Sequence, residues 1–195
     1  MNKIASYAAH KAKALLESFP IQRRSVAGND VQIEIDYCGV CHTDLHFVNN
    51  DWAMTEYPVV PGHEIVGRIS EVGPEVKKFK VGDVAAIGCM VKSCGECPSC
   101  ISGQEQYCLN GFTATYNGTT EDPGGFTFGG YSKSIVAEES FILNMPGSLD
   151  LKSTAPLLCA GITTYSPLKH WNAGPEKKSG DRWSGRIGSY GGKIF

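Results

Sequence analysis

The segment VQIEIDYCGVCHTDLH, Val31–His46, joins a strand pattern directly to a dense group of reactive side chains. Apolar and polar residues alternate from Val31 to Tyr37, which is typical of a half-buried β-strand. The ten residues Tyr37–His46 then contain two cysteines, two histidines, a threonine and an aspartate. Packing alone seldom requires such a set, so we predict that a sheet strand leads here into a functional loop or helix.

Short apolar runs separated by glycine turns follow between Gly62 and Gly88. The apolar positions in this stretch are Ile65, Val66, Ile69, Val72, Val81 and residues 84–87. Two later runs, 131–137 and 141–145, could complete the same sheet. Short strands with tight turns favour a small β-barrel.

The sequence changes character near residue 150. Residues 151–165 are apolar and contain alanine, and residues 164–171 predict a helix with Pro167 in its first turn. We therefore predict a domain boundary near residue 150, with a mainly β domain before it.

Composition excludes several classes of partner. The chain has 195 residues, a formal net charge of -2 and 42% hydrophobic residues, which does not favour nucleic acid or an anionic membrane as a partner. No run approaches the ~18 apolar residues of a membrane span, and charged residues interrupt the N-terminal segment before a secretory signal can form. We therefore expect a cytoplasmic protein whose eight cysteines are metal ligands rather than disulfides.

Four cysteines follow the spacing C-x2-C-x2-C-x7-C in a loop that is rich in glycine and serine. They are Cys94, Cys97, Cys100 and Cys108. Four thiolates at these intervals can enclose one structural Zn²⁺, which would stabilise a loop with little apolar material. The alternative is four free thiols or two disulfides. Cys38 and Cys89 lie in or beside predicted strands, and we interpret both as small buried hydrophobic residues.

Two further motifs carry candidate ligands: Pro61-Gly62-His63-Glu64 and Leu157-Leu158-Cys159-Ala160-Gly161. A Zn²⁺ held by two thiolates and one imidazole keeps a fourth position for water or substrate, as catalytic zinc does. In these two motifs and in the Tyr37–His46 segment, the chain resembles the zinc-dependent medium-chain alcohol dehydrogenases, most closely the cinnamyl-alcohol-dehydrogenase-like branch.

The resemblance implies a set of domains. It implies a chaperonin-10 (GroES)-like barrel as the catalytic domain over residues 1–150, with a structural zinc lobe at 89–110. Residues 151–178 would begin a Rossmann α/β domain that binds NAD(P), and the full-length protein would be a homodimer.

The resemblance also implies roles at the reactive zinc. Its ligands would be Cys41, His63 and Cys159, with Glu64 in or near the zinc shell, which gives two zinc ions per chain. Without the resemblance, His63 is equally well a structural histidine and Glu64 an ion-paired carboxylate.

A proton relay through Thr43 and His46 is likewise implied, with Thr43 also contacting the cofactor. The alternative is that Thr43 only caps a helix starting at Asp44, whose carboxylate would be a first-turn helix residue.

The implied reaction transfers hydride between a primary alcohol or aldehyde and NADP(H), or alternatively NAD(H). Residues 51–54 and Tyr57 could line an aromatic-walled pocket for aromatic or medium-chain substrates, or belong to the core. The alternatives are a non-enzymatic zinc-bound structural or interaction module, and a zinc-free quinone-reductase-like protein, which the two complete sets of metal ligands disfavour.

The C-terminal segment KSGDRWSGRIGSYGGKIF, 178–195, has no usable hydrophobic periodicity. Allowed codons read one base out of frame permit KVGIVGVGGLGHMGVKF, which contains the G-x-G-x-x-G turn of a dinucleotide-binding domain. We therefore predict that residues 179–195 are an out-of-frame tail and that the chain is an inactive fragment, truncated before its cofactor-binding domain.

Overall fold

A computed structural model describes residues 3–121 and 123–174. The strands in this part of the chain are β1 (Tyr7–Ala8), β2 (Glu17–Ser18), β3 (Asp30–Cys38), β4 (Ile65–Val72), β5 (Val84–Ile87), β6 (Met90–Lys92), β7 (Thr113–Ala114), β8 (Ser134–Glu138) and β9 (Ile142–Asn144). The helices are α1 (His42–Asn49), α2 (Pro98–Ile101), α3 (Leu151–Thr154) and α4 (Ala160–His170), with 3₁₀ turns at Glu105–Tyr107, Glu139–Phe141 and Ala155–Leu158. None of these helices is long and apolar enough to cross a membrane.

The core of the fold is a five-stranded antiparallel sheet in the order β8-β3-β4-β5-β9. Its central strands contribute Ile33, Ile65, Ile69 and Ile87, each at most 2% exposed. Full burial of one such side chain stabilises the fold by about 1.5–3 kcal/mol. The strand-rich arrangement predicted from the alternating pattern is present, with β8 and β9 in the two later apolar runs.

Two residues depart from the predicted strand pattern. The ladder between β3 and β4 shifts register between Ile35 and Tyr37, and such a bulge reverses the face on which the next side chain lies. Tyr37 is therefore 44% exposed, and its prediction as an apolar-face residue was wrong. Val81 is 60% exposed in the turn before β5, so its assignment to a strand was also wrong.

The C-terminal helix begins earlier than predicted. It runs from Ala160 to His170, which places Pro167 inside the helix rather than in its first turn. Thr164 uses its hydroxyl to bond the Ala160 carbonyl one turn earlier, at 3.0 Å. The last strand, β9, ends at Asn144, and the segment from Leu151 to His170 is helical. The change from strands to helices therefore lies near residue 150, where the sequence predicted it. The domain assignments remain predictions, and the predicted out-of-frame tail, 179–195, lies outside the described residues.

Candidate metal centres

The loop between β3 and α1 positions the first candidate ligand. Cys41 is the N-cap of α1, with φ -106° and ψ 156°, and the helix begins at His42. The backbone N–H of Cys41 donates to Asp44 Oδ2 at 2.8 Å, which fixes the first turn. The alternative in which Thr43 caps a helix starting at Asp44 is therefore wrong.

Four candidate ligands from separate parts of the chain converge beside this turn. The ligand atoms of Cys41, His63, Glu64 and Cys159 all lie within 4.8 Å of one another, and we call them the open cluster. The Sγ atoms of Cys41 and Cys159 are 3.7 Å apart. A disulfide needs about 2.05 Å, whereas two sulfurs on one tetrahedral Zn²⁺ lie about 3.8 Å apart, given Zn–S bonds of about 2.3 Å. The donor set and its spacing therefore fit zinc.

The buried Asp44 carboxylate supports the open cluster through hydrogen bonds. Its side chain is 2% exposed, and Oδ1 accepts from His63 Nδ1 at 3.1 Å and from Gly62 N at 3.0 Å. The Tyr131 hydroxyl donates to Oδ2 at 3.4 Å. Burial acts to raise the pKa of Asp44, but the bond and charge of His63 together with the backbone N–H bonds of Cys41 and Gly62 outweigh it, and the pKa is lowered. The interpretation of Asp44 as only a first-turn helix residue was incomplete.

His63 is held by Asp44 in the orientation that a metal ligand requires. The imidazole is buried, and burial acts to lower its pKa, yet its bonds to Asp44, Cys159 and Cys41 raise that pKa overall. Because Asp44 takes Nδ1, the Nε2 atom is the one left for the two thiols. A carboxylate behind a histidine is the usual support for a zinc-bound imidazole.

Glu64 is fully buried, and the cysteine motif makes room for it. A Cβ added to Gly39 would lie only 1.9 Å from Glu64 Oε2. The Gly39 N–H also donates to the Glu64 carbonyl at 2.9 Å. The glycine of CGVC is therefore a packing position next to Glu64 that the sequence alone did not identify.

Cys159 enters the open cluster from the start of α4. The preceding 3₁₀ turn packs on the sheet through Ala155 and Leu158. A Cβ added to Gly88 would lie 3.1 Å from the Leu158 carbonyl, so the chain passes close to the end of β5.

The two cysteines left unassigned differ from each other. Cys89 is exposed, so its prediction as a buried residue was wrong, and its bond to Cys159 lowers its pKa. Cys38 packs against the sheet core, where burial raises its pKa to about 12. That environment agrees with the interpretation of Cys38 as a small hydrophobic residue.

The residues of the proposed proton relay lie on α1. The Thr43 hydroxyl and backbone bond Cys41 and act to lower its thiol pKa, although Cys159 and burial raise that pKa overall. His46 lies one turn further along the helix, and its Nδ1 is 2.8 Å from Asp51 Oδ2. Residues three apart share a helix face, so Thr43 and His46 lie on the same side of α1.

The segment after α1 separates into exposed and core residues. Trp52 and Met54 are 49% and 61% exposed. The Tyr57 hydroxyl instead donates to the Val48 carbonyl at 2.9 Å, and its side chain packs against the buried cluster of Ala9, Val59 and Tyr116. Tyr57 therefore belongs with the core, while Trp52 and Met54 are available to line a pocket.

A second cluster lies between β6 and β7. The ligand atoms of Cys94, Cys97, Cys100 and Cys108 lie within 4.8 Å of one another, and we call this region the four-cysteine lobe. Cys94 and Cys100 Sγ are 3.8 Å apart, which again matches two ligands of one tetrahedral Zn²⁺. The Leu109 N–H donates to Cys97 Sγ at 3.5 Å, and this and other backbone donors lower the pKa of Cys97 to about 6.

The surroundings of the four-cysteine lobe are largely exposed. Ile101, Tyr107 and Leu109 are 75%, 65% and 71% exposed. The lobe therefore lacks an apolar core of its own, as expected of a segment that a metal holds together.

Comparison with known proteins gives a consistent result. The family model described as "Alcohol dehydrogenase GroES-like domain" matches residues 27–147. The chain is 52% identical over 193 residues to the aldehyde reductase YahK of Escherichia coli, covering 98% of this chain and 55% of that protein. It is also 52% identical over 179 residues to NADP-dependent alcohol dehydrogenase C 1 of Mycolicibacterium smegmatis, covering 91% and 51% of the two chains.

A solved structure shares the same arrangement. The CAD from Helicobacter pylori complexed with NADP(H) superposes with a TM-score of 0.93 at 39% identity, covering 98% of this chain and 55% of that chain. The chain thus spans about half the length of the relatives it matches.

Proposed function

The chain belongs to the alcohol dehydrogenase GroES-like domain family, and on that premise we propose that it is the catalytic domain of a zinc-dependent, NADP(H)-linked alcohol dehydrogenase. The family and the GroES-like fold predicted from the sequence are thereby confirmed. The observation that supports the activity is the meeting of two cysteines, a histidine and a glutamate from distant segments within 4.8 Å.

In this proposal Cys41, His63 and Cys159 hold the reactive zinc, with Glu64 beside them. Zinc bound there would act as a Lewis acid, which makes an alcohol hydroxyl more acidic and polarises an aldehyde carbonyl. Asp44 keeps the His63 ring in place through Nδ1. Glu64, which is buried against Gly39, supplies a carboxylate that can exchange places with water near the zinc shell. The four-cysteine lobe holds a second, structural zinc.

Proton transfer is assigned to α1. Thr43 offers a hydroxyl next to Cys41 and would also contact the cofactor. His46 is partly exposed and would carry the proton towards solvent. Because Asp51 bonds Nδ1 of His46, the Nε2 atom is the one available to exchange protons.

The cofactor and substrate are proposed from relatives and from the exposed aromatic segment. The Helicobacter pylori protein is complexed with NADP(H), and the Mycolicibacterium relative is named NADP-dependent, so we assign NADP(H) here with NAD(H) as the alternative. Trp52 and Met54 present exposed apolar surface near the relay, which suits an aromatic or medium-chain primary alcohol or aldehyde.

We further propose the domain organisation, location and partners of the full-length protein. Residues 151–178 would start the dinucleotide-binding domain, the full-length protein would be a cytoplasmic homodimer, and its partners would be small molecules rather than nucleic acid or membrane.

The test combines zinc content with NADPH-dependent reduction of an aromatic aldehyde. It compares the 195-residue chain with a version whose coding sequence is read in the shifted frame after Lys178 and extended through the cofactor domain. We expect two zinc ions per chain in both proteins and activity in the extended version. Failure of the extended version to reduce aldehydes would reject the proposed activity.

One observation favours the alternative, a zinc-bound interaction module. The four-cysteine lobe exposes apolar side chains, among them Ile101 and Leu109, and exposed apolar surface is typical of contact sites. A single bound zinc, with no activity in either protein, would support this alternative.

A further inference from the structure

A pair of histidines on α1 stands outside both cysteine clusters. His42 and His46 are four residues apart, so they lie one above the other on the same helix face. Their ring centroids are 4.7 Å apart, with an interplanar angle of 49°. The His42 side chain is exposed and that of His46 is 35% exposed, so both rings are open to ions in solution.

His46 is fixed in a way that leaves one nitrogen for a ligand. Asp51 Oδ2 lies 2.8 Å from Nδ1, a contact that favours the neutral tautomer with the proton on Nδ1, and in that tautomer the Nε2 lone pair is available to a metal ion. The Trp52 ring lies against the same imidazole, with centroids 4.8 Å apart and planes at 37°. A carboxylate behind an imidazole is the support that raises the basicity of a metal-binding nitrogen.

We propose that His42 and His46 form a binding site for a borderline divalent transition metal, such as Zn²⁺ or Ni²⁺. Imidazole nitrogens suit these ions, whereas Mg²⁺ and Ca²⁺ prefer oxygen ligands. Rotation of the exposed His42 side chain would bring its Nε2 to an ion held by Nε2 of the fixed His46, and water would complete the shell. Asp51 supplies a partly exposed negative charge beside the site.

The consequence for catalysis rests on the proposed function. If His46 passes the proton to solvent, an ion on its Nε2 removes that exchange site. Excess zinc then inhibits the enzyme while the open cluster keeps its own ion.

The test uses Ni²⁺ and the neighbouring tryptophan. The full 195-residue chain is loaded with two zinc ions per chain, excess and weakly bound zinc is removed by gel filtration, and the protein is titrated with Ni²⁺ while its tryptophan emission is recorded. Because Trp52 touches the His46 ring, a paramagnetic ion at this site quenches its emission. The zinc that stays on the protein is measured at each step by elemental analysis after gel filtration. A wild-type chain that is not quenched, or that is quenched in step with zinc release, overturns the site.

Three variants assign the signal. His42→Gln removes one ligand and should weaken Ni²⁺ binding by at least about tenfold, since even the loss of a supporting carboxylate costs that much. Trp52→Phe should remove the quenching itself. The matched control is His170→Gln, because His170 also lies beside a tryptophan, Trp171, with ring centroids 5.0 Å apart. This control should titrate like the wild type.

An unchanged affinity in His42→Gln, or full quenching in Trp52→Phe, overturns the site. If His42→Gln does not fold, Asp51→Asn decides the question. It keeps both histidines and should weaken binding by about tenfold, and an unchanged affinity counts against the site. None of these readouts requires enzymatic activity, so failure of the histidine site and failure of the proposed dehydrogenase function are distinguishable.

Discussion

The two cysteine clusters reach similar sulfur spacings by opposite routes. The four-cysteine lobe takes all its ligands from one loop between β6 and β7, and its apolar side chains remain exposed. The open cluster takes its ligands from three distant segments that buried strands and helices hold in place. In the lobe the metal would stabilise the local fold, whereas at the open cluster we expect the packed strands and helices to hold the ligands in place.

The ligand types of the two clusters also differ. The lobe offers four thiolates, a set that closes around zinc. The open cluster offers two thiols, one imidazole and one carboxylate, supported by Asp44. Substitutions at the two clusters should therefore affect zinc binding and folding stability differently.

The largest effect is expected in the lobe. Cys97→Ser removes one of the four thiolates and should abolish zinc binding by the lobe. The lobe should then unfold, because binding of a structural zinc contributes on the order of 10 kcal/mol to folding. Amide hydrogen exchange should show the lobe unfolded and the five-stranded sheet protected, with one zinc lost per chain. Cys89→Ser is the control and should keep lobe zinc. A lobe that stays protected without metal would contradict the contrast.

Gly39→Ala tests the fold-dependent region. The new methyl group would overlap the buried Glu64 carboxylate, and such overpacking destabilises a protein by about 1–3 kcal/mol. Denaturant titration should show this loss, together with weaker zinc binding at the open cluster alone. Gly147→Ala is the matched control, because nothing lies within 4 Å of the added carbon. Equal stability of the two variants would mean that Glu64 moves freely.

Asp44→Asn tests the support of His63. The amide keeps the size of the side chain but loses the charge that holds Nδ1, so zinc affinity at the open cluster should fall about 10–100-fold. Competition with a chromophoric chelator measures this, and the lobe zinc in the same sample serves as the internal reference. An equal fall at both clusters would indicate general unfolding instead.

Tyr131→Phe should have the smallest effect. Its hydroxyl makes a long 3.4 Å bond to Asp44, so the loss should be about 1 kcal/mol or less in thermal unfolding. Tyr107→Phe, on the exposed surface of the lobe, should be silent. A loss of stability well above about 1 kcal/mol would mean that the Tyr131 hydroxyl supports Asp44 more strongly than the 3.4 Å distance indicates.

The same contrast explains what the sequence could predict. The lobe was predictable because its ligands and their spacing are local. The sheet was predictable from alternation as far as Ile35, but the bulge that turns Tyr37 outward depends on pairing with β4. Cys159 was selected only through resemblance, since no local signal places it beside Cys41.

The support of the open cluster was not readable from the sequence. Asp44 looks like any first-turn helix residue until Gly62, His63 and Tyr131 pack around it. Gly39 looks like a loop glycine until the buried Glu64 occupies the space of its missing side chain. Both depend on contacts between segments that are distant along the chain.

The strand pairing of Ile65 should slow the exchange of an ion bound at the open cluster. Ile65 directly follows His63 and Glu64, and it pairs with Cys38 on one side and Ile87 on the other. Displacing the His63–Glu64 backbone would therefore strain the pairing of Ile65 with both neighbouring strands, so we expect this side of the cluster to open only with the sheet. The lobe can fray by itself. On dilution into chelator, the lobe should therefore lose its ion through brief local openings, while the open cluster should release its ion only through its solvent side.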